Sequence, residues 1–411
     1  MGGGISRRNI WIASALSLAV AMRLFALWLA GDAIHYGDPL NYLRLATALS
    51  KGHGFALPDP SGGWTLTGYF PPALPMLLGA VALLVPLTPL TLVLVNTLID
   101  ITAALLLGRL AARLGRRDLG LPLSLAYLLW PSIAFMAPLA YKEGLIIALL
   151  LAMLVALLEQ AERAGYRWAL LSGLAGGALV LTQPSLAPLL PLLFLVFLKR
   201  FRGFRRWLSV SACAASVALL LMLPWWLRNG IVFGEFIPLT TSGGLALWVG
   251  AHPSGGMVWK LPPSEWAQGG ELEAGRLAAA DAWRIIIADP AGYVTRCLVK
   301  FPLSFLQTNW ALDQLLLAPE APYKKLALSV PLRFGPTLIE LGCALLAIFR
   351  LIRRPRSTPA LLLWACIAQV MLFSIWFEFS ERHRLFMTPF ILMLAAMALA
   401  QRRSLASVRP Q

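Results

Sequence analysis

Residues 31–80 read GDAIHYGDPLNYLRLATALSKGHGFALPDPSGGWTLTGYFPPALPMLLGA. They follow an apolar run over 10–30 and precede another over 89–111. The first half carries acids, histidines and a tyrosine at a density that a lipid-buried helix does not tolerate. The stretch is therefore a loop that leaves the membrane directly after a span. Most of the remaining chain is apolar, so chemistry has few places to sit, and this is the densest of them.

Working outward, the whole chain has the same character. Of its 411 residues 59% are hydrophobic and 13% are charged, about half the charge of a soluble chain. Mean hydropathy is +0.73. Apolar runs near the length that crosses about 30 Å of hydrocarbon as a helix recur along the chain. They are continuous and do not alternate, which argues for an all-α, polytopic helix bundle and against a barrel. The net charge of +16 sits in short basic clusters between the runs, as the positive-inside pattern requires. No aromatic-basic surface module accompanies it, so nucleic acid is not an expected partner. The four cysteines, Cys213, Cys297, Cys343 and Cys366, form no CxxC pair or metal spacing, which leaves neither a disulfide framework nor a zinc site. Arg7 and Arg8 before a long apolar run, with no clean small-residue cleavage site, read as an uncleaved first span.

The basic clusters at Arg7/Arg8, Arg109–Arg117, Arg163/Arg167, Lys199–Arg206, Arg350–Arg356 and Arg402/Arg403 fix the topology if all are cytoplasmic. About ten spans then fit, at 10–30, 89–111, 119–138, 144–158, 168–183, 185–198, 207–224, 330–350, 360–377 and 385–401. The chain is read as one integral membrane domain, 1–411, with both termini cytoplasmic. The first outer loop, 31–88, holds juxtamembrane helices. The run between Pro71 and Pro86 is too short to span and reads as a half-inserted helix. A tight outer turn lies near Ala137–Glu143, and a short outer piece covers Glu378–Arg384. A long outer segment, 225–329, contains amphipathic helices over 271–312, broken at Pro290 and Pro302.

Candidate functional residues fall on these outer segments. Asp38-Pro39 followed by an apolar-periodic run is a helix start, with Asp38 as cap and Pro39 at the first helical position. Tyr42 lies one turn along the same face. Asp38 is thus either a cap or a carboxylate held at the membrane surface as a general base; Asp32 and His35 just upstream are either its neighbours or a solvated loop. Lys142-Glu143 opens a span, and Glu143 is either a dipole-favoured surface acid or a second acid at the depth of Asp38. Arg382 and Arg384 break the charge rule in a short outer loop, which calls for an anionic partner: a phosphate, for which arginine is suited, Glu378 or Glu381, or lipid headgroups. Trp225 and Trp226 are interface anchors, and Arg228 beside them is a further phosphate candidate. Asp100 and Glu340 are intramembrane acids, either functional or paired within the bundle. No phosphate-binding glycine loop, metalloprotease or nucleophile-elbow motif is present.

In order along the chain these residues resemble the polyprenyl-phosphate-sugar-dependent glycosyltransferases of the GT-C superfamily. The nearest pattern is the protein O-mannosyltransferase and lipid A aminoarabinose transferase group. The carriers are Gly37-Asp38-x-x-x-Tyr42-x-x-x-Ala46-x-x-Leu49-x-x-Gly52-x-Gly54, then Tyr69-Phe70-Pro71-Pro72-x-x-Pro75, then Asn96-x-x-x-Asp100. Pro131 with Lys142-Glu143 follows, then Pro224-Trp225-x-x-Arg228-Asn229 with Phe233-Gly234 and Pro238, and last Arg382-x-Arg384 with Pro389. The resemblance implies a GT-C fold with its active site on the periplasmic face of a bacterial inner membrane. It implies an enzyme that moves a sugar from a polyprenyl phosphate to an acceptor hydroxyl on a lipid, glycan or protein, with inversion. Asp38 would be the base and Glu143 would orient the acceptor or assist. Tyr42, His35, Lys142, Arg228, Arg382 and Arg384 would surround the substrate. A divalent cation is left open. The chain departs from the pattern in having Asp38-Pro39 where some members have Asp-Glu. It also lacks the aminoarabinose group's lysine before the proline-rich turn, and no large soluble domain is expected after the tenth span. Those departures bear on the substrate rather than the fold. Two other classes fit the residues less well: a transporter or lipid flippase using Asp100 and Glu340 as coupling acids, and a non-catalytic assembly subunit holding a partner through 225–329.

Overall fold

The computed structural model describes residues 7–31, 37–307, 310–316 and 322–406, with the side chains of 313, 322–331, 333 and 402–406 left aside. Asp32 and His35 therefore lie outside the described residues. The chain begins with α1 (Arg7–Ala30) and the juxtamembrane α2 (Gly37–Ser50). A hairpin of β1 (Ala56–Pro58) and β2 (Trp64–Leu66) follows, then α3 (Ala73–Ala82) and α4 (Pro89–Arg113). Next come α5 (Gly120–Leu128), α6 (Pro131–Met136), α7 (Glu143–Glu162), α8 (Arg167–Thr182), α9 (Leu189–Val196) and α10 (Phe204–Phe233). The outer segment holds α11 (Gly243–Ala251), α12 (Gly270–Ala288), α13 (Pro290–Ser304) and α14 (Trp310–Leu316). The chain closes with α15 (Pro322–Arg353), α16 (Thr358–Gln369) and α17 (Thr388–Ala406).

The all-helical membrane reading holds, and the expected spans differ in how continuous their helices are. Among the described residues six helical stretches are long and apolar enough to cross a bilayer: α1, α4, α7, α10, Phe334–Arg353 of α15, and Glu381–Gln401 leading into α17. These carry six of the ten expected spans. The other four are short or broken, and proline explains two of them. The run 119–138 divides at Trp130-Pro131, because Pro131 has no N–H to continue α5 and instead starts α6. The run 185–198 keeps only the eight residues of α9, between a tight turn begun by Pro184 and another at its end. α8 is 16 residues long. α16 runs into a π-helical turn, Val370–Ser374. The expected half-inserted helix is α3, ten residues long.

Helix starts follow local chemistry. Thr88 caps α4 by accepting from the Thr91 N–H, with Pro89 at the first position. Asp289 does the same for α13 through the Gly292 N–H, with Pro290 following, so the outer amphipathic stretch breaks at Pro290 as expected. Pro302 instead lies in the last turn of α13, which ends at Ser304. The β-hairpin was not expected from the sequence. Its turn is held by the Asp59 carboxylate, which accepts from the N–H groups of Ser61 and Gly63.

Burial sorts the helices. About 72% of the apolar window of α7, and of the stretch leading into α17, is inside the protein, against 17% for α1 and α10. The first two form the core, where α7 packs on α4 and α8 and α17 packs on α15. α1 and α10 present apolar side chains such as Trp11 and Ile231 outward, as a lipid-facing surface does. Two charged pairs lie in the bundle. Arg23 of α1 meets Asp100 of α4 at 2.7 Å, both nearly fully buried. Arg384 meets Glu340 of α15 at 2.7 Å.

Two charged residues tie down the long segment between α10 and α15. Glu271 of α12 accepts from the Thr67 hydroxyl at 2.6 Å, the Gly68 N–H at 2.9 Å and the Thr241 hydroxyl. This ties the hairpin to the long outer segment. Lys300 of α13 is buried and donates to the carbonyls of Gly250, Ile375 and Phe377 at 3.0–3.1 Å. Gly250 permits that approach, since a Cβ there would stand 2.5 Å from the Phe377 backbone.

Candidate active site

Four separate segments meet where the helices end on the outer layer. Gly37, at φ +71°, provides a left-handed residue that a Cβ would strain, and Asp38 follows in the first turn of α2. Its carboxylate is one-third exposed and is engaged from the far end of the chain, accepting from Arg382 Nη1 at 2.5 Å. Arg382 also reaches Glu378 at 3.3 Å, and its guanidinium lies 5.6 Å from the centre of the Trp310 ring. The Trp310 indole donates to the Tyr141 hydroxyl at 2.7 Å. Tyr141 precedes Lys142 and Glu143, which open α7. Lys142 Nζ stands 5.9 Å from the centre of the Tyr42 ring. Tyr42 is buried and packs edge-on against Phe70.

Local structure explains how Arg382 is aimed. Ser380 and His383 cap the turn that carries it, the Ser380 N–H donating to His383 Nδ1 at 3.1 Å. Arg382 and Arg384 are two residues apart, so they cannot share a face. Arg384 points into the bundle, where it is 2% exposed, pairs with Glu340, donates to the Ser304 carbonyl and covers Phe305. The expectation that both arginines face one phosphate is thus replaced by a division: Arg382 serves the cluster and Arg384 the core behind it. Beside Arg384, the Ser132 hydroxyl lies 2.6 Å from carboxylate oxygens of both Glu340 and Glu381. Glu381 also accepts from the Trp310 N–H and so braces the residue under Arg382.

Arg228 is likewise committed. It stacks among Phe55, Trp225 and Phe233 and donates to the Phe55 carbonyl and the Asn229 side chain. Asp100 and Glu340 are held by arginines, as the paired alternative for them required.

The electrostatics of the cluster are uneven. Burial acts to raise the Asp38 carboxyl, but the charge and hydrogen bond of Arg382, with Lys142 behind, outweigh it and hold it below the ordinary 3.8. Burial, then the Asp38 charge, pushes the Tyr42 phenol well above 10, so it stays a donor. Burial lowers the Lys142 ammonium against the attraction of Glu143. Glu143 is 3% exposed and its Oε2 has no hydrogen-bond partner, although Arg382, Lys142 and Asp38 are all near enough to feel its charge. A buried oxygen left without a donor suits a site that expects a ligand group.

Sequence reasoning thus identified Asp38, Tyr42, Lys142, Glu143 and Arg382, which the fold brings together. It missed the roles of Tyr141, Trp310 and Tyr69, the last felt electrostatically by Asp38 and Glu378. Among the described residues no three His, Cys, Asp or Glu side chains come together as metal ligands.

The chain is a multi-pass helical membrane protein with a charged, partly open cluster at one end of its bundle. No protein-family model and no curated protein matches it. Among solved structures it is similar to the archaeal oligosaccharyltransferase AglB from Archaeoglobus fulgidus in complex with an inhibitory peptide and a dolichol-phosphate. The identity is 13% and the TM-score 0.52, over 97% of this chain and 52% of that one. It is also similar to the Archaeoglobus fulgidus oligosaccharyltransferase in complex with zinc and sulfate. There the identity is 14% and the TM-score 0.49, over 93% of this chain and 49% of that one. The chain spans about half the length of each of these structures. The first likeness is one of fold: the chain shares the membrane-helix architecture of that oligosaccharyltransferase over nearly its whole length.

Proposed function

We propose that the protein is a membrane glycosyltransferase that moves a sugar from a polyprenyl-phosphate donor to an acceptor hydroxyl, with inversion, on the outer face of a bacterial inner membrane. The observation that carries the reading is the meeting of Asp38 and Arg382 on a GT-C fold. A proton acceptor and a phosphate-seeking guanidinium touch where the membrane helices end. Support for a lipid-phosphate donor and a protein acceptor comes from AglB, solved with a dolichol-phosphate and a peptide.

The acceptor oxygen attacks the anomeric carbon and forms the new C–O bond. Its proton passes to Asp38, and the bond from the anomeric carbon to the phosphate oxygen breaks, with its electron pair leaving on the polyprenyl phosphate. Arg382 and Lys142 stabilise that leaving charge. Glu143, with its free buried oxygen, accepts from the acceptor and orients it, and Tyr42 donates from below. Before the donor arrives, Asp38 is a weak base because Arg382 neutralises it. Once the donor phosphate shares Arg382, the burial that opposes ionisation of Asp38 is less offset, and its proton affinity rises when it is needed.

The test is to incubate the purified chain in nanodiscs with a panel of polyprenyl-phosphate sugars and an acceptor extract, following free polyprenyl phosphate. Release from one donor names the substrate. Failure to release from any of them contradicts the transferase reading.

A further inference from the structure

The end of the bundle opposite Asp38 is the end the basic clusters assign to the cytoplasm, and its arginines are not treated alike. Glu159 of α7 is buried among Arg109, Arg113 and Arg163, and Glu162 takes a second contact from Arg113. Those arginines are neutralised within the protein. Further round the same end, Arg116, Arg350 and Arg354 converge on a cavity of about 460 Å³, completed by Ser357, Met397 and Gln401. Asp118, itself largely exposed, pairs with Arg116. Neither Arg350 nor Arg354 has a carboxylate partner among the described residues. Arg350 donates from Nη1 to the Gln401 side chain, and its buried Nε has no hydrogen-bond partner.

Three guanidiniums around one cavity with one acid between them repel each other, and such an arrangement is stabilised by an anion. The anion is not the donor phosphate of the proposed reaction. The helical path from Arg382 to Gln401 puts the two sites about 28 Å apart. The cavity lies between the ends of α15, α17 and α4, with the buried Met397 in its lining. That combination of fixed positive charge and apolar wall at a membrane boundary matches a phospholipid headgroup with its first methylenes.

We propose that this cavity binds the phosphate headgroup of an anionic membrane lipid. The lipid neutralises Arg350 and Arg354 and joins α15 to α17 at that end of the bundle. The proposal is independent of the transferase reading.

The test uses the full chain purified from nanodiscs that contain phosphatidylcholine and phosphatidylglycerol, with retained lipids identified by native mass spectrometry. Wild type is expected to keep phosphatidylglycerol in preference to phosphatidylcholine. Each arginine contributes about 5-fold in affinity, so Arg350→Gln/Arg354→Gln lowers retention about 30-fold. Arg353→Gln removes the same charge from the same helix end, but its guanidinium covers Phe349, and retention stays near wild type. Arg354 is exposed, so Arg354→Gln alone keeps the fold and should show the single 5-fold step if the double variant does not accumulate. Equal losses in Arg353→Gln and Arg354→Gln would overturn the proposal, leaving only the general positive field of that end. So would retention indifferent to headgroup charge. A soluble arm adds inorganic pyrophosphate to delipidated protein. Thermal stabilisation that needs Arg350 and Arg354 and matches that by phosphatidylglycerol would overturn the lipid assignment in favour of a soluble phosphate.

Discussion

Replacing Arg382 by Gln removes the charge that holds the Asp38 carboxyl below 3.8. The guanidinium touches the carboxylate at 2.5 Å, which places the charge centres about 4 Å apart. At an effective dielectric near 20 such a pair is worth about 4 kcal/mol. The Asp38 side chain is 33% exposed, so solvent screening cuts the figure to about 1–2 kcal/mol. With Arg382 gone, burial becomes the dominant influence and Lys142 the remaining opposing charge, so the shift is upward. The assay needs no substrate: carboxyl 13C resonances of the Asp-labelled chain in nanodiscs are titrated, with Asp38→Asn assigning the peak. In wild type the Asp38 midpoint lies below the ordinary carboxylate value, and in Arg382→Gln it moves upward. A wild-type midpoint at or above the ordinary carboxylate value, or one that Arg382→Gln leaves unmoved, would refute the ion pair and the masking of the base built on it.

Arg23→Met strands Asp100 in the bundle and should cost about 3–5 kcal/mol, read by thermal unfolding in detergent, whereas Arg23→Met/Asp100→Leu recovers most of it. If the double variant keeps full glycosyl transfer, the pair serves stability alone; if transfer is lost while stability recovers, the pair also serves the reaction. Burial lowers the Lys142 ammonium from 10.5, and the protonated form is the one that holds a phosphate. Donor affinity should therefore fall as pH rises through that lowered value. Lys142→Met should weaken binding by about 10–100-fold and abolish the alkaline limb, as isothermal titration with the donor would show.

The six long spans were legible because a run of about 20 apolar residues has one stable form in lipid. The broken ones were not, because proline within a membrane helix either ends it or kinks it, and neighbouring helices decide which. Pro131 ends a helix, while Pro224 sits inside α10 without stopping it. At the site, Asp38, Lys142 and Glu143 stood out as charges at span ends. Arg382 stood out as a breach of the charge rule, and its spacing from Arg384 was itself enough to separate their directions. Arg23, a lone charge in the first span, was passed over in the sequence, and its pairing with Asp100 depends on how α1 lies against α4. Trp310 carried no signal, because its role comes from meeting Arg382 and Tyr141 across long sequence separations.

The most direct measurement of the account is the rate of polyprenyl-phosphate release by wild type and Asp38→Asn, on the donor that wild type uses and with donor affinity measured alongside. Loss of a base with donor binding retained lowers the rate by at least about 10²–10⁴-fold while the affinity holds or rises, since Arg382 is freed for the phosphate. Equal rates from the two proteins would remove Asp38 from the chemistry and contradict the account.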